Sequence, residues 1–200
     1  MVSLEQIMKN FLVLIFIGLV VMLCSCGGED YSPKPRAYHK IEFPKKAYRL
    51  FDEGCAYSFE YPVYAEMVAE GSSGEHCWYN LYFKQFNGKL HMTYYDVLSK
   101  NEYEGLVEDA RTFAFKHTVK ANAIDQKLIN YPNKKVYGVY YAIDGNTASS
   151  VQFFLTDSTK HYFRGALYFN ERPQYDSIQP VVAFIKKDLD RMISTFKWNN

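Results

Sequence analysis

Residues 78–95, WYNLYFKQFNGKLHMTYY, alternate apolar and polar positions on both sides of an Asn-Gly pair. Successive side chains of a pleated strand point to opposite faces, so Tyr79, Leu81 and Phe83 share one face. Asn87-Gly88 supplies the positive φ values of a tight hairpin turn, and Leu90, Met92 and Tyr94 return on the inner side. Upstream, YSFEYPVYA (57–65) alternates around Tyr57, Phe59 and Tyr61 until Pro62, which lacks a ladder N–H and predicts an edge strand or a strand end.

Downstream the period changes. In NEYEGLVEDARTFAFKHTVK (101–120), Tyr103, Leu106, Val107, Ala110, Phe113, Ala114 and His117 recur at spacings of three and four, the stripe of an amphipathic helix. Glu102 and Glu104 at its front and Lys116 and Lys120 at its end suit the helix dipole. Three strand-like runs follow at 136–143, 148–156 and 161–169, joined by Asp144-Gly145-Asn146 and Asp157-Ser158-Thr159, which predicts an antiparallel meander. A closing helix, capped by Asp176 or Ser177 with Pro180 in its first turn, stripes Ile178, Val181, Val182, Ile185, Leu189, Met192, Ile193 and Phe196 along one side. Hairpin, helix, meander, helix is the order of an α+β domain whose helices pack on an antiparallel sheet. This layout of elements resembles the PsbP-like α/β/α sandwich.

The N-terminus reads differently. FLVLIFIGLVVML (11–23) reaches only about 20 Å as a helix, short of the roughly 30 Å hydrocarbon core. Behind Lys9 and ahead of small residues it has the layout of a secretory signal segment. Leu23-Cys24-Ser25-Cys26 resembles the lipobox of bacterial lipoproteins: Cys26 fits the acceptor of diacylglycerol, whereas Cys24 follows a bulky Leu23. The alternative is a signal-anchor helix with an incidental cysteine pair. Two or three acyl chains would anchor the chain stably, which a single one would not. Glu5 is atypical ahead of such a segment, so Met8 is the expected start of translation. The expected organisation is a signal peptide over 1–25, a tether over 26–44 and one globular domain over 45–200.

Removing residues 1–25 takes away one Lys and one Glu, so the net charge stays +1, giving no reason to expect nucleic acid as a partner. With 18 Tyr and 15 Phe in the whole sequence, only Phe11 and Phe16 of them ahead of Cys26, the exported chain can bury a core without a metal or dense disulfides. Cys55 and Cys77 are either a disulfide closing a loop of 22 residues or two separate buried thiols. Prolines 33, 35 and 44 give the tether its extended character, spanning roughly 50 Å. Lys34, Arg36 and Lys40, with Lys45, Lys46 and Arg49, face only Glu42 there, and read either as contacts to an acidic partner or headgroups or as a solvated spacer.

Candidate chemistry is sparse. His39, His76, His91, His117 and His161 show no metal-ligand spacing, so no metal and no cofactor is expected. A helix end at His117 favours a positive imidazole. His161 and Arg164 lie close on one strand, as a cationic docking patch or an ordinary exposed face. Ser72 in GSSGE lacks the strand-to-helix context of a nucleophile. The pairs Asp52/Glu53, Glu108/Asp109 and Asp188/Asp190 read as solvated.

PKPRAYHKIEFP (33–44), YSFEYPVYA (57–65), FAFKHTVKANAI (113–124), TASSVQFFLTDSTKHYFRGALYFN (147–170) and PVVAFIKKDLDRMISTFKW (180–198) together resemble the gliding-motility lipoproteins called GldD. The resemblance implies a component needed for surface gliding, a process coupled to type IX secretion, with no catalytic residue to carry over. The expected protein is a lipid-anchored, non-enzymatic envelope component facing the periplasm, on the outer membrane with the inner as alternative, and binding other gliding or secretion proteins. Its docking strip would combine Lys34, Arg36 and Lys40 with the strand region around His161 and Arg164. The rivals are an envelope enzyme, which would show His91, His117 or His161 beside a carboxylate in a deep pocket, and a small-ligand or lipid carrier, which would show a cavity between sheet and helices.

Overall fold

The computed structural model describes residues 4–23, 41–70, 76–170 and 175–199. The chain divides into two compact units, Met1–His39 and Lys40–Asn200. The first contains α1, Leu4–Leu23, whose Ile7, Met8, Phe11, Leu12, Val13 and Ile15 are exposed. Among the described residues no helix is long and apolar enough to cross a membrane.

The second unit is a mixed α+β domain. Its strands are β1 (Tyr48–Phe51), β2 (Tyr57–Pro62), β3 (Glu66–Ala69), β4 (Tyr79–Phe83), β5 (Gly88–Asp96), β6 (Ala121–Tyr131), β7 (Val136–Gly145), β8 (Ser149–Thr156), β9 (His161–Phe169) and β10 (Lys197–Trp198). Helix α2 spans Lys100–Phe115 and α3 spans Tyr175–Thr195. Seven strands form one sheet in the order β3-β4-β5-β9-β8-β7-β6, and a small sheet runs β1-β2-β10. Every pairing is antiparallel.

Period-two alternation splits the large sheet into two chemical faces. One face carries Leu81, Phe83, Leu90, Met92, Phe153, Leu155, Phe163 and Leu167, all buried against Phe51, Tyr57 and Phe59 of the small sheet and Ile185, Leu189, Met192 and Phe196 of the last helical stretch. Tyr57 contacts Phe163 edge-on at 4.8 Å and stacks on Phe196 at 5.9 Å, an aromatic arrangement that adds to simple area burial. The opposite face buries Tyr141, Ile143, Phe154 and Tyr162 under Ala110 and Ala114 of α2. The meander β7-β8-β9 is continuous, as the turn-rich connections predict.

Local differences from the sequence expectation have packing causes. The β4–β5 hairpin pairs Leu81 with Leu90 as expected, but Phe83 pairs with Gly88, leaving Lys84–Asn87 as the loop. Lys84–Phe86 forms a 3-10 turn and only Asn87 is left-handed, at φ 49°. The longer loop lets Phe86 turn inward onto Phe184, at 5.7 Å between rings. Pro132–Lys134 and the left-handed Lys135 repeat that geometry between β6 and β7. Pro62 ends β2, yet β2 is the central strand of the small sheet rather than an edge. Helix α3 begins at Tyr175, so Pro180 lies inside it, where it deprives the Asp176 carbonyl of its donor on an exposed stretch open to water. Within the segment read as a spacer, Phe43 already stacks on Phe184 at 4.5 Å. Strand β6 was not legible, because most of its residues are exposed and carry no inward alternation.

Candidate functional site

The most concentrated chemistry lies where the N-terminal segment meets α3. The Asp188 side chain is 1% exposed and accepts from Lys46 Nζ at 2.5 Å, from Tyr48 OH at 3.0 Å and from Tyr64 OH. Lys46 also donates to the Phe184 carbonyl and sits 3.3 Å from the Phe184 ring centre. A buried carboxylate is tolerated only when paired and hydrogen-bonded, and three donors satisfy it here. Burial lowers the Lys46 ammonium, against the pull of Asp188, and burial with the Asp188 bond pushes the Tyr48 phenol up to about 12. The solvated reading of Asp188 is therefore corrected: side chains two apart on a helix point different ways, so Asp190 is exposed while Asp188 is buried. A polar residue inside the stripe Val181, Ile185, Leu189, Met192 was the available signal. Lys46 and Arg49 are likewise occupied within the fold, Arg49 by the Ala65 carbonyl and the Tyr61 ring.

The α2 face has a second cluster. Asn80 and His91 are cross-strand partners, and His91 Nδ1 lies 2.9 Å from Asn80 Oδ1 and 3.0 Å from Glu70 Oε2. Arg164 donates to Gln152 Oε1 at 2.9 Å and stacks 4.8 Å over Phe113, while Gln152 Nε2 meets His117 Nε2 at 3.1 Å. His91, Asp109, Phe113 and Arg164 line an open cleft of about 300 Å³ between α2 and the sheet. His117 lies in the 3-10 turn after α2, and burial lowers its pKa, so the expectation of a positive imidazole at a helix end is corrected: desolvation outweighs the dipole.

His161 belongs elsewhere. It shares the α3 face with Phe163, whereas Arg164 shares the α2 face with Tyr162, so the two cannot form one docking patch. The His161 ring stacks on Trp198 at 5.2 Å, and its Nδ1 lies 2.7 Å from Tyr94 OH, which donates to Asp96. Lys134, Lys135, Lys160, His161 and Trp198 border a cleft of about 620 Å³ at one end of the sheet. Asp157, also at this cleft, is committed to its turn. Burial raises its carboxyl, but bonds from the Thr159 hydroxyl and from the N–H groups of Thr159, Lys160 and His161 prevail and hold it at about 2. Cys26, Lys34, Arg36, Lys40 and Ser72 lie outside the described residues.

Cys55 and Cys77 are joined, with Cα atoms 5.7 Å apart, linking the bend between β1 and β2 to the turn that precedes β4. No group of three or more metal-ligating side chains occurs among the described residues.

No curated protein matches the chain. Among solved structures, the solution structure of cyanobacterial PsbP (CyanoP) from Synechocystis sp. PCC 6803 is similar, at 11% identity and a TM-score of 0.45, covering 81% of this chain and 98% of that one. The family described as gliding motility lipoprotein GldD matches residues 28–198, from just beyond Cys26 to the last β-strand. The chain belongs to the gliding motility lipoprotein GldD family.

Proposed function

We propose that this protein is a lipid-anchored, non-catalytic component of the gliding apparatus, accessory to type IX secretion and acting through protein contacts at the periplasmic side of the envelope. The observation that carries the reading is the family match over residues 28–198, which starts two residues after the lipobox cysteine. The Asp188 clasp supports it mechanically. The segment leading out of the tether is tied to α3 by the Lys46 ion pair, the Tyr48 phenol bond and the Phe43–Phe184 stack, so displacement of the anchor is passed to the core. Docking falls to the basic cleft around Lys135, Lys160 and His161, which suits an acidic partner surface.

Deleting the gene should abolish colony spreading, and a Cys26→Ser copy should neither restore it nor take up radiolabelled palmitate. A Lys135→Glu/Lys160→Glu copy should be lipidated and folded yet fail to restore spreading. Normal spreading of the deletion strain would sink the motility assignment, and full rescue by the double variant would sink the docking site alone. A second reading, binding of a small ligand, draws on the α2 cleft, where Arg164 and Asp109 offer opposite charges beside aromatic walls. It predicts that Arg164→Ala, which leaves the anchor and the basic cleft untouched, abolishes spreading.

A further inference from the structure

Strand β6 is an edge in an unusual condition. It runs eleven residues, pairs only with β7, and leaves most of its side chains exposed, with Leu128 at 79%. The opposite edge, β3, has four residues. Long open edges present unpaired N–H and C=O groups as a template for another strand, and natural sheets ordinarily blunt them. The irregularity in the β6–β7 register falls between Ala121 and Ala123, so the stretch from Ala123 onward is regular.

The sequence of this edge is complementary to itself. Laid antiparallel on its own copy about an axis through Gln126, Asp125 faces Lys127 and Lys127 faces Asp125. Ile124 faces Leu128, Ala123 faces Ile129, and Gln126 faces Gln126. Directly opposed residues in an antiparallel pair share a face, so the ion pairs fall on the α3 side and the Ile–Leu contacts on the α2 side. The intrachain packing matches this division: Ile129 joins the α3-side core and Ile124 packs with the α2-side cluster. Neither Asp125 nor Lys127 has an ion-pair partner within the chain among the described residues. A register shifted by one residue would set Asp125 against Leu128 or Asp125 against Gln126, losing both charge pairs.

We infer that β6 is the site at which two copies of this chain join, edge to edge through residues 123–129, as a two-fold dimer with one continuous sheet of fourteen strands. The arrangement is isologous and closes on itself, since each copy uses its long edge once and retains only the short β3 edge. Leu128 is covered, both lone charges are neutralised, and the open backbone groups gain partners. The inference stands apart from the motility assignment, because it rests on the strand alone.

The full-length protein in native membranes tests it by cysteine pairing. Gln126→Cys, on the axis, should give a disulfide-linked band at twice the chain mass under mild oxidation. Asn130→Cys, exposed on the same strand but eight residues out of register with its own copy, should give none beyond the wild-type background. In parallel, sedimentation of the detergent-solubilised chain should show Asp125→Lys weakening self-association about fivefold, as two opposite-charge pairs become like-charge pairs, with Asp125→Lys/Lys127→Asp restoring it. A Gln126→Cys chain that stays single, an Asn130→Cys chain that links equally well, or a double swap that fails to restore association each overturns the dimer. A linked band of another mass assigns the edge to a different protein's strand and overturns the second copy as its occupant.

Discussion

The two faces of the large sheet are built on different terms. The α3 face is filled by aromatic and aliphatic side chains from several elements, closed over by α3 and the small sheet, and the one acidic side chain fully buried there among the described residues, Asp188, is held by three donors. The α2 face has a small apolar patch under a helix that buries only two alanines, and beside it a row of polar side chains, Asn80, His91, Gln152 and Arg164, around an open cleft. Tight packing is concentrated at the centre of the first face, whereas the second leaves a polar cleft open beneath α2; the larger basic cleft around His161 lies at the end of the sheet.

The largest effect expected from this contrast is on core truncation. Phe163→Ala on the α3 face should cost about 3–5 kcal/mol in chemical denaturation, whereas Leu106→Ala on α2, half-buried, should cost about 1 kcal/mol. Equal losses would erase the distinction. Next, Asp188→Asn keeps the shape and an acceptor but removes the charge facing Lys46, and should cost about 1.5–3 kcal/mol, as for a hydrogen bond to a charged group. An unchanged denaturation midpoint would show that the clasp contributes nothing to the fold and would weaken the mechanical part of the proposal.

The smallest effect is a pH slope. His117 has a folded pKa below its ordinary value of 6.5, so below that pH the unfolded chain binds more protons and stability falls with acidification until the folded group also titrates. His117→Gln should flatten this slope in urea midpoints measured on either side of pH 6.5. An identical slope in the variant would show that burial does not govern this histidine. Asp157, held at about 2, behaves oppositely in origin: its stabilisation is complete above the ordinary carboxylate range and is lost only as pH falls towards 2.

Much of the architecture was readable along the chain. The alternation in 78–95, the three-and-four spacing of 101–117 and the turn-separated runs from 136 to 169 each reflect a face that must be apolar, so local pattern and final burial agree. Strand β6 lacked that signature because it lies at the margin of both packed layers, where Ile129 alone is buried and Ile124 only partly so. The hairpin length escaped because Asn87-Gly88 fits a two-residue turn locally, while Phe86 is drawn inward by Phe184, a ring nearly a hundred positions away. Of the candidate sites, His161 and Arg164 were legible as cations on one strand but not as groups on opposite faces.

Hydrophobic periodicity and turn chemistry are properties of neighbouring residues, and they were enough to assign the class of fold, the hairpin, the meander and the two helices of the domain, while longer stretches such as 147–170 carried the resemblance to the family that residues 28–198 match. The Asp188 clasp, the division of the sheet into a packed and an open face, and the bareness of β6 depend on which distant segments are brought together. Lys46 and Asp188 are 142 residues apart, and nothing in either local sequence encodes the other. Burial, and therefore the desolvation that turns an ordinary aspartate into a structural anchor, arises only when the whole domain closes around it.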